Sequence, residues 1–261
     1  MKGIQQTKYP MALLWVSVGL LFLIVFSSKN IDEMRDIDVN GVNIVYQVKG
    51  NSKGNPVILL HGNSGSHEHL SVMVDQLDSA GYLVYALDLR GQGANAPVAE
   101  YHYADMANDV AAFIKELNLE KPAIFGWSDG GNIALQMELM HPRTAGLIVT
   151  AGANIFPEGV KPELWEHFKK ELEESDSIPS LTKMMYLEPQ MTWEDMRTIE
   201  CPALIVAGEY DLIDEVHTRQ IAAEIPQGKV LILPNEDHGS FVYKSQKIGE
   251  VVLRFLQENN Y

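Results

Sequence analysis

The chain has 261 residues, 46% of them apolar and 21% charged, values that exclude a disordered or collagen-like polymer and suit one large domain or two small ones. Thirty-five acids against twenty bases give a formal charge of -15, a surface that repels a phosphate backbone, so nucleic acid is not expected as a partner. The single cysteine, Cys201, rules out an intramolecular disulfide and any cysteine-built zinc or iron–sulfur site.

The charge is unevenly spread. All 35 acids lie after residue 29, so residues 30–261 carry a net -18, while the first 29 hold three lysines and no acid. The 20 residues from Tyr9 to Ser28 are uncharged, and Met11–Phe26 is almost wholly apolar. About 20 such residues in a helix span the hydrocarbon core of a bilayer. Lys2, Lys8 and the amino terminus flank one side, which by the positive-inside rule puts that end in the cytoplasm and the rest of the chain outside. Residues 1–29 are therefore expected to be a single-pass anchor in the cell membrane, with the membrane as a partner. Two readings compete with it: a signal peptide cleaved near Val25-Phe26-Ser27, with secretion of the remainder, and a buried core helix.

Past residue 30, Asp36–Val39 and Val42–Val48 flank Asn40-Gly41, a two-residue hairpin signal. Short β-rich runs follow at Val57–Leu60, Leu83–Leu87, Ala123–Phe125, Leu147–Thr150, Leu204–Val206 and Val230–Leu233. Continuous apolar runs of this length suit strands covered on both faces. Helical periodicity lies between them, near 68–79, 103–118, 130–140, 214–224 and 245–257. The alternation predicts an α/β fold, doubly wound, with a mostly parallel sheet and helices on both faces.

Residues 153–200 break the rhythm, with no strand-like run and 11 acidic against 5 basic side chains. Pro162–Ser175 reads as an amphipathic helix with Leu164, Trp165, Phe168 and Leu172 on one face. A second apolar group follows: Met184, Met185, Tyr186, Leu187, Met191, Trp193 and Met196. The expected organisation is a core over 30–152, a small helical cap over 153–200 inserted after the sixth strand, and the rest of the core over 201–261. Most of the cap's apolar side chains are expected to pack it to the core, and a few to line a pocket.

The segment richest in chemistry is Ala123–Gly131 (AIFGWSDGG), in which a buried strand runs through G-x-S-x-G straight into a helix pattern. Ser128 must then sit on a sharp, strained turn that leaves its hydroxyl clear, with Gly126 and Gly130 letting backbone pass close by. A serine hydroxyl needs a base held beside it. His238, in the loop between Val230–Leu233 and the last helix, fits that role. Asp211, after the strand Leu204–Val206, fits the acid that orients the base. Asp214 is an alternative acid, but it starts a helix and reads as an N-cap. Asp237 would have to fold back on its neighbour. Two N–H donors are needed for an oxyanion, and these are assigned to Asp129, after the nucleophile, and to Asn63 in His61–Gly65 (HGNSG). His61 is expected to hold that loop through its ring nitrogens. Asp88 and Arg90 are expected to brace a turn as a pair, and Cys201 to be packed. His67-Glu68-His69 has no third ligand at matching spacing, so a solvated helix start is expected there, with no metal. The chemistry calls for no cofactor.

Together, Leu59–Gly65, Leu87–Gly93, Gly126–Gly131, Cys201–Asp211 and Glu236–Ser240 resemble the α/β-hydrolase superfamily over everything after residue 36. Ser128, Asp211 and His238 stand in its nucleophile–acid–base order. In Gly126–Gly131, Gly152-Ala153-Asn154 and Cys201–Val206 the chain resembles the biphenyl-hydrolase-like, valacyclovir-hydrolase-type serine esterases. The membrane-type N-terminus and the short cap depart from that pattern. The resemblance implies hydrolysis of small carboxylic esters through an acyl-enzyme on Ser128, with a small-molecule ester as the partner. It also implies that Asp129 contacts substrate, because in that subfamily this acid is associated with α-amino-acid esters, whose ammonium a carboxylate attracts. From the residues alone Asp129 has two readings, binding a cationic acyl group or hydrogen-bonding the loop after residue 61. The same triad also serves lactonases, thioesterases, C–C-bond hydrolases, peptidases and perhydrolases, and the fold can persist in a ligand-binding receptor.

Overall fold

In the computed structural model, which describes residues 29–175 and 177–261, Asn40 and Gly41 turn the chain back with φ of 47° and 79°, the left-handed pair that a two-residue hairpin needs. They join β1 (Asn30–Val39) to β2 (Val42–Asn51) in an antiparallel ladder. The first strand thus starts six residues before the expected Asp36. Its residues Asn30–Arg35 run along the outer edge of the sheet, largely exposed, where pairing requires no apolar alternation.

The chain continues through β3 (Pro56–Leu60), α1 (Ser71–Ser79), β4 (Leu83–Leu87), α2 (Tyr103–Glu116), β5 (Ala123–Trp127), α3 (Asp129–Met140) and β6 (Leu147–Ala151). Then come α4 (Pro162–Glu174), α5 (Ser180–Leu187), α6 (Trp193–Met196), β7 (Ala203–Tyr210), α7 (Glu215–Glu224), β8 (Gly228–Asp237) and α8 (Lys247–Glu258). The eight strands form one sheet in the order β1-β2-β4-β3-β5-β6-β7-β8. Only β2 runs against its neighbours; from β4 to β8 all pairs are parallel. This is the doubly wound, mostly parallel α/β sheet expected from the alternation of runs.

Strand side chains point alternately to two apolar layers. Ile58, Leu60, Ile124, Ile148 and Ile205 pack against α2, α3 and α7 on one face. Val57, Leu59, Phe125, Val149 and Val206 pack against α1 and α8 on the other. Between β6 and β7 the chain is helical. Val160, Phe168, Tyr186 and Ile213 form a small cluster of their own, whereas Met184, Met191 and Met196 join the main core. The apolar residues of this segment thus largely serve to pack it down. The apolar run Met11–Phe26 lies outside the described residues; among the described residues no helix is long and apolar enough to cross a membrane.

Two buried imidazoles tie loops to this frame. His61, after β3, donates from Nδ1 to the Gly62 carbonyl (2.7 Å) and accepts the Leu89 N–H at Nε2 (3.0 Å), so it holds the loop through both nitrogens as expected. His217, on α7, accepts the Ile155 N–H at Nε2 (3.1 Å) and packs against the rings of Phe156 and Trp193. Burial pushes both rings down to about 4 from an ordinary 6.5. The unfolded chain therefore binds protons between pH 6.5 and 4 that the folded chain refuses, and stability falls as the pH drops through that window. Moving from about pH 7.5 to about pH 5 should cost about 2 kcal/mol per ring. Urea unfolding at the two pH values measures the loss. His217→Gln, which keeps an acceptor but does not titrate, should remove its share; an unchanged pH slope in that variant would refute the assignment.

Candidate active site

Ser128 is the first residue past β5 and the N-cap of α3, at φ 53° and ψ -120°. A positive φ on a residue with a Cβ is strained by about 1–3 kcal/mol and persists only where the surroundings hold it. Here the Ser128 N–H donates to the Ala151 carbonyl (2.7 Å), and its own carbonyl accepts the N–H groups of Gly131 (2.8 Å) and Asn132 (3.1 Å). The flanking glycines are needed for space. A Cβ on Gly126 would run into the Gly130 backbone, and one on Gly130 into the Leu60 carbonyl.

The expected base and acid also stand at strand ends. Asp211 follows the last residue of β7 and His238 the last residue of β8, and the pair Tyr210–Asp237 lies just beyond a register shift in that ladder. Ser128 Oγ lies 3.0 Å from His238 Nε2, and His238 Nδ1 lies 2.6 Å from Asp211 Oδ1. Asp211 is 1% exposed. Burial alone would raise its pKa, but hydrogen bonds from His238, Ile213 N–H and Gly208 N–H outweigh that and hold the carboxyl below its ordinary range. The three residues predicted from sequence are thus brought together in hydrogen-bonding order. Asp214 instead accepts the Val216 and His217 N–H groups as the N-cap of α7. Asp237 accepts the N–H groups of Gly239 and Ser240 and shapes the turn after His238.

The loop after β3 passes directly over the nucleophile, with the Gly62 Cα side facing Ser128 Cβ so closely that an added methyl would sit 3.2 Å from it. Among the described residues the backbone N–H groups of Asn63 and Asp129 have no hydrogen-bond acceptor. Both are the donors assigned from sequence. The Asp129 side chain is 2% exposed. Its Oδ2 accepts the Asn63 side-chain amide (2.9 Å) and its Oδ1 accepts the Tyr103 hydroxyl (2.7 Å). Burial raises its pKa, and these two donors work against the rise.

Some expectations about the surroundings are corrected. Asp88 braces its turn as expected, whereas Arg90 ties the turn to α2 and does not bond Asp88. Asp88 accepts the His67 N–H (2.7 Å), the His67 ring (2.8 Å) and the Ala94 N–H (2.8 Å), while Arg90 is bidentate on Asp109 (2.7 Å for each bond). His67–Leu70 is a 3₁₀ turn that runs straight into α1, a helix start as expected, with Glu68 exposed but the His67 ring tied to the buried Asp88. Among the described residues no group of three or more histidine, cysteine or acidic side chains could hold a metal. Cys201 is buried, and burial pushes its thiol up to about 12. A cavity of about 440 Å³ opens between α5 and residues 99–102, beside Glu188.

Several residues that the sequence marks at most as part of a resemblance, with no role attached, support the site. The Trp127 indole N–H donates to the His238 carbonyl (2.9 Å), so the residue before the nucleophile fixes the loop of the base. Asn154 and Asn132 bond reciprocally across the end of β6. Gly152, at φ 64°, packs its Cα against the His238–Asp211 pair: a Cβ there would lie 2.7 Å from His238 Nδ1 and 3.4 Å from Asp211 Oδ1. Gly152→Ala should therefore displace the imidazole. The left-handed backbone costs alanine about 1–2 kcal/mol of stability, but turnover of an activated ester should fall by about 100-fold. Steady-state rates with urea unfolding as control check this; unchanged kcat would mean that the ring has room to move.

Residues 55–192 match the model of a family described as alpha/beta hydrolase fold. Among curated relatives, the AB hydrolase superfamily protein YisY of Bacillus subtilis is 24% identical, covering 77% of this chain and 91% of its own length. The human serine hydrolase BPHL is 26% identical over 85% of each chain. Among solved structures, Rv0554 from Mycobacterium tuberculosis superposes with a TM-score of 0.73 at 20% identity, covering 87% of this chain and 99% of its own. A thermophilic esterase from Thermogutta terrifontis superposes at 0.69 with 18% identity, covering 89% and 100%. At those identities the structural likeness is one of fold. The family match spans more than half of the sequence, and on it, with the sheet order and the strand-end placement of Ser128, Asp211 and His238, the chain belongs to the α/β-hydrolase family.

Proposed function

We propose that the protein is a serine hydrolase that cleaves small carboxylic esters through an acyl-enzyme on Ser128. The observation that carries this reading is the pair of contacts running from Ser128 Oγ to His238 Nε2 and from His238 Nδ1 to Asp211, beside two N–H groups without acceptors among the described residues. His238 takes the proton of Ser128 as Oγ attacks the acyl carbon. The oxyanion is held by the N–H groups of Asn63 and Asp129, each worth about 3 kcal/mol to the transition state. Asp211 orients the ring and stabilises its imidazolium form. His238 then returns the proton to the leaving alkoxide, and water, activated by the same ring, releases the acid. No cofactor or metal takes part.

A preference for α-aminoacyl esters is the finer expectation. It needs the Asp129 carboxylate to meet an ammonium, yet that carboxylate is buried and each oxygen already has a donor. Plain, uncharged acyl groups fit this arrangement better. Ser128→Ala should lower turnover of p-nitrophenyl acetate by about 10⁴-fold or more; retained turnover would sink the reading. A matched panel of p-nitrophenyl esters with alkanoyl and α-aminoacyl groups should show no advantage for the charged series. Lactones and thioesters in the same panel test the sister reactions. Stoichiometric labelling of Ser128 by a fluorophosphonate without turnover of any substrate would point to a receptor instead.

Met11–Phe26 supports a second part of this reading, a membrane anchor that holds the catalytic domain outside the cytoplasm. Sequencing the amino terminus of the mature protein decides it. An intact terminus in the membrane fraction is expected, whereas a start near residue 28 in the soluble fraction would mean a secreted enzyme.

A further inference from the structure

We propose that Tyr103 is a positioning residue of the oxyanion hole, acting through Asp129 on the loop that carries the Asn63 N–H. This inference rests on the ester-hydrolase reading above. The two residues that own the free N–H donors are bonded to each other by their side chains, Asn63 Nδ2 donating to Asp129 Oδ2 at 2.9 Å. The orientation of the Asn63 amide is fixed by Asp129, because an ionised carboxylate only accepts and so takes Nδ2, which leaves Oδ1 to accept the Ser64 hydroxyl at 2.9 Å. The remaining oxygen of Asp129 accepts the Tyr103 hydroxyl at 2.7 Å. An ionised carboxylate only accepts, so one rotamer of Asp129 satisfies both donors at once. Removing the phenol would leave that oxygen buried without a donor, a loss that drives the side chain to turn and release Asn63.

Tyr103 is well placed to be the fixed end of this chain. It is fully buried and is the first residue of α2. Its N–H donates to Glu188 Oε2 (3.1 Å), and the other oxygen of Glu188 pairs with the ring of the preceding His102 (2.6 Å). Glu188 follows α5, so the helical segment between β6 and β7 clamps the start of α2, and α2 presents the phenol to Asp129. The loop has a second tie, the Ser64 N–H on Gln92 Oε1 (2.8 Å). Loss of the Tyr103 bond should therefore shift the Asn63 donor rather than free the loop.

The test is kinetic. Tyr103→Phe should lower kcat for p-nitrophenyl acetate by about tenfold and leave KM within about twofold, because the ground-state ester makes little use of the hole. The affinity for a trifluoromethyl ketone, whose hemiketal oxyanion occupies the same site, should weaken by a similar factor. Asn63→Ala keeps the backbone donor and alters a half-exposed position, so it folds even where the buried tyrosine change does not; it should give the same split between kcat and KM. The double variant should be no slower than the worse single one, since both remove the same tie. The proposal is overturned if Tyr103→Phe keeps kcat within about twofold of wild type, or if the two losses multiply. Turnover retained by Ser128→Ala would overturn the ester-hydrolase reading instead, and the two failures are told apart by which variant stays active.

Discussion

The backbone of Ser128 is the constraint on which the rest of the structure depends. Its positive φ is unfavourable by itself, and the fold supplies three backbone hydrogen bonds and two glycine gaps to hold it. The gaps have partners with consequences of their own. Gly130 must touch the Leu60 carbonyl, which brings the end of β3 against the start of α3. That contact carries the Gly62–Asn63 loop over the serine, so the geometry that exposes the nucleophile also delivers an N–H donor beside it. A bulkier residue at either glycine would damage both at once.

The parallel sheet does the remaining alignment. Successive parallel strands end at one edge of the sheet, and Ser128, Asp211 and His238 each occupy the first position past such an end. The sheet therefore converts positions 83 and 110 residues away from Ser128 into one hydrogen-bonded row. The register shift between β7 and β8 adds a fine adjustment, since it falls just before the acid and the base. Trp127 and Gly152 then close on His238 from two directions, the indole by a hydrogen bond to its carbonyl and the glycine by having no side chain in the way.

These features were legible in the sequence to very different degrees. Buried strands announce themselves by short apolar runs, and the elbow by a strand running through G-x-S-x-G into a helix, so Ser128, Asp211, His238 and the two donors could be named from residue type and position in chain. The edge strand Asn30–Arg35 could not, because an exposed strand is under no demand to alternate and its charged residues read as loop. The Asp88 and Arg90 partners were missed for a related reason. Closeness in sequence made them look like a pair, while His67 and Asp109 reach them only through the folded chain. Tyr103 carried no signal at all: a tyrosine at a helix start has no motif, and its role exists only because α2 crosses behind Asp129.

Two carboxylates stand close to the same imidazole, and their surroundings push them in opposite directions. Asp211 receives its bonds from a ring that becomes cationic and from two backbone N–H groups, which together lower its pKa despite burial. Asp129 receives a phenol and an amide, both neutral, and burial dominates, so its pKa rises. In the proposed mechanism, proton transfer to His238 creates a cation that both acids favour, but attack by Ser128 also creates an oxyanion at the N–H of Asp129, which a nearby negative charge opposes. An acid in that place has a net use only if its geometric contribution exceeds this electrostatic penalty. Cross-linking the two oxyanion donors through their own side chains is such a contribution. It also accounts for why the carboxylate is turned away from solvent and towards Tyr103 and Asn63, where its charge is shared between two donors and is not presented to the acyl group.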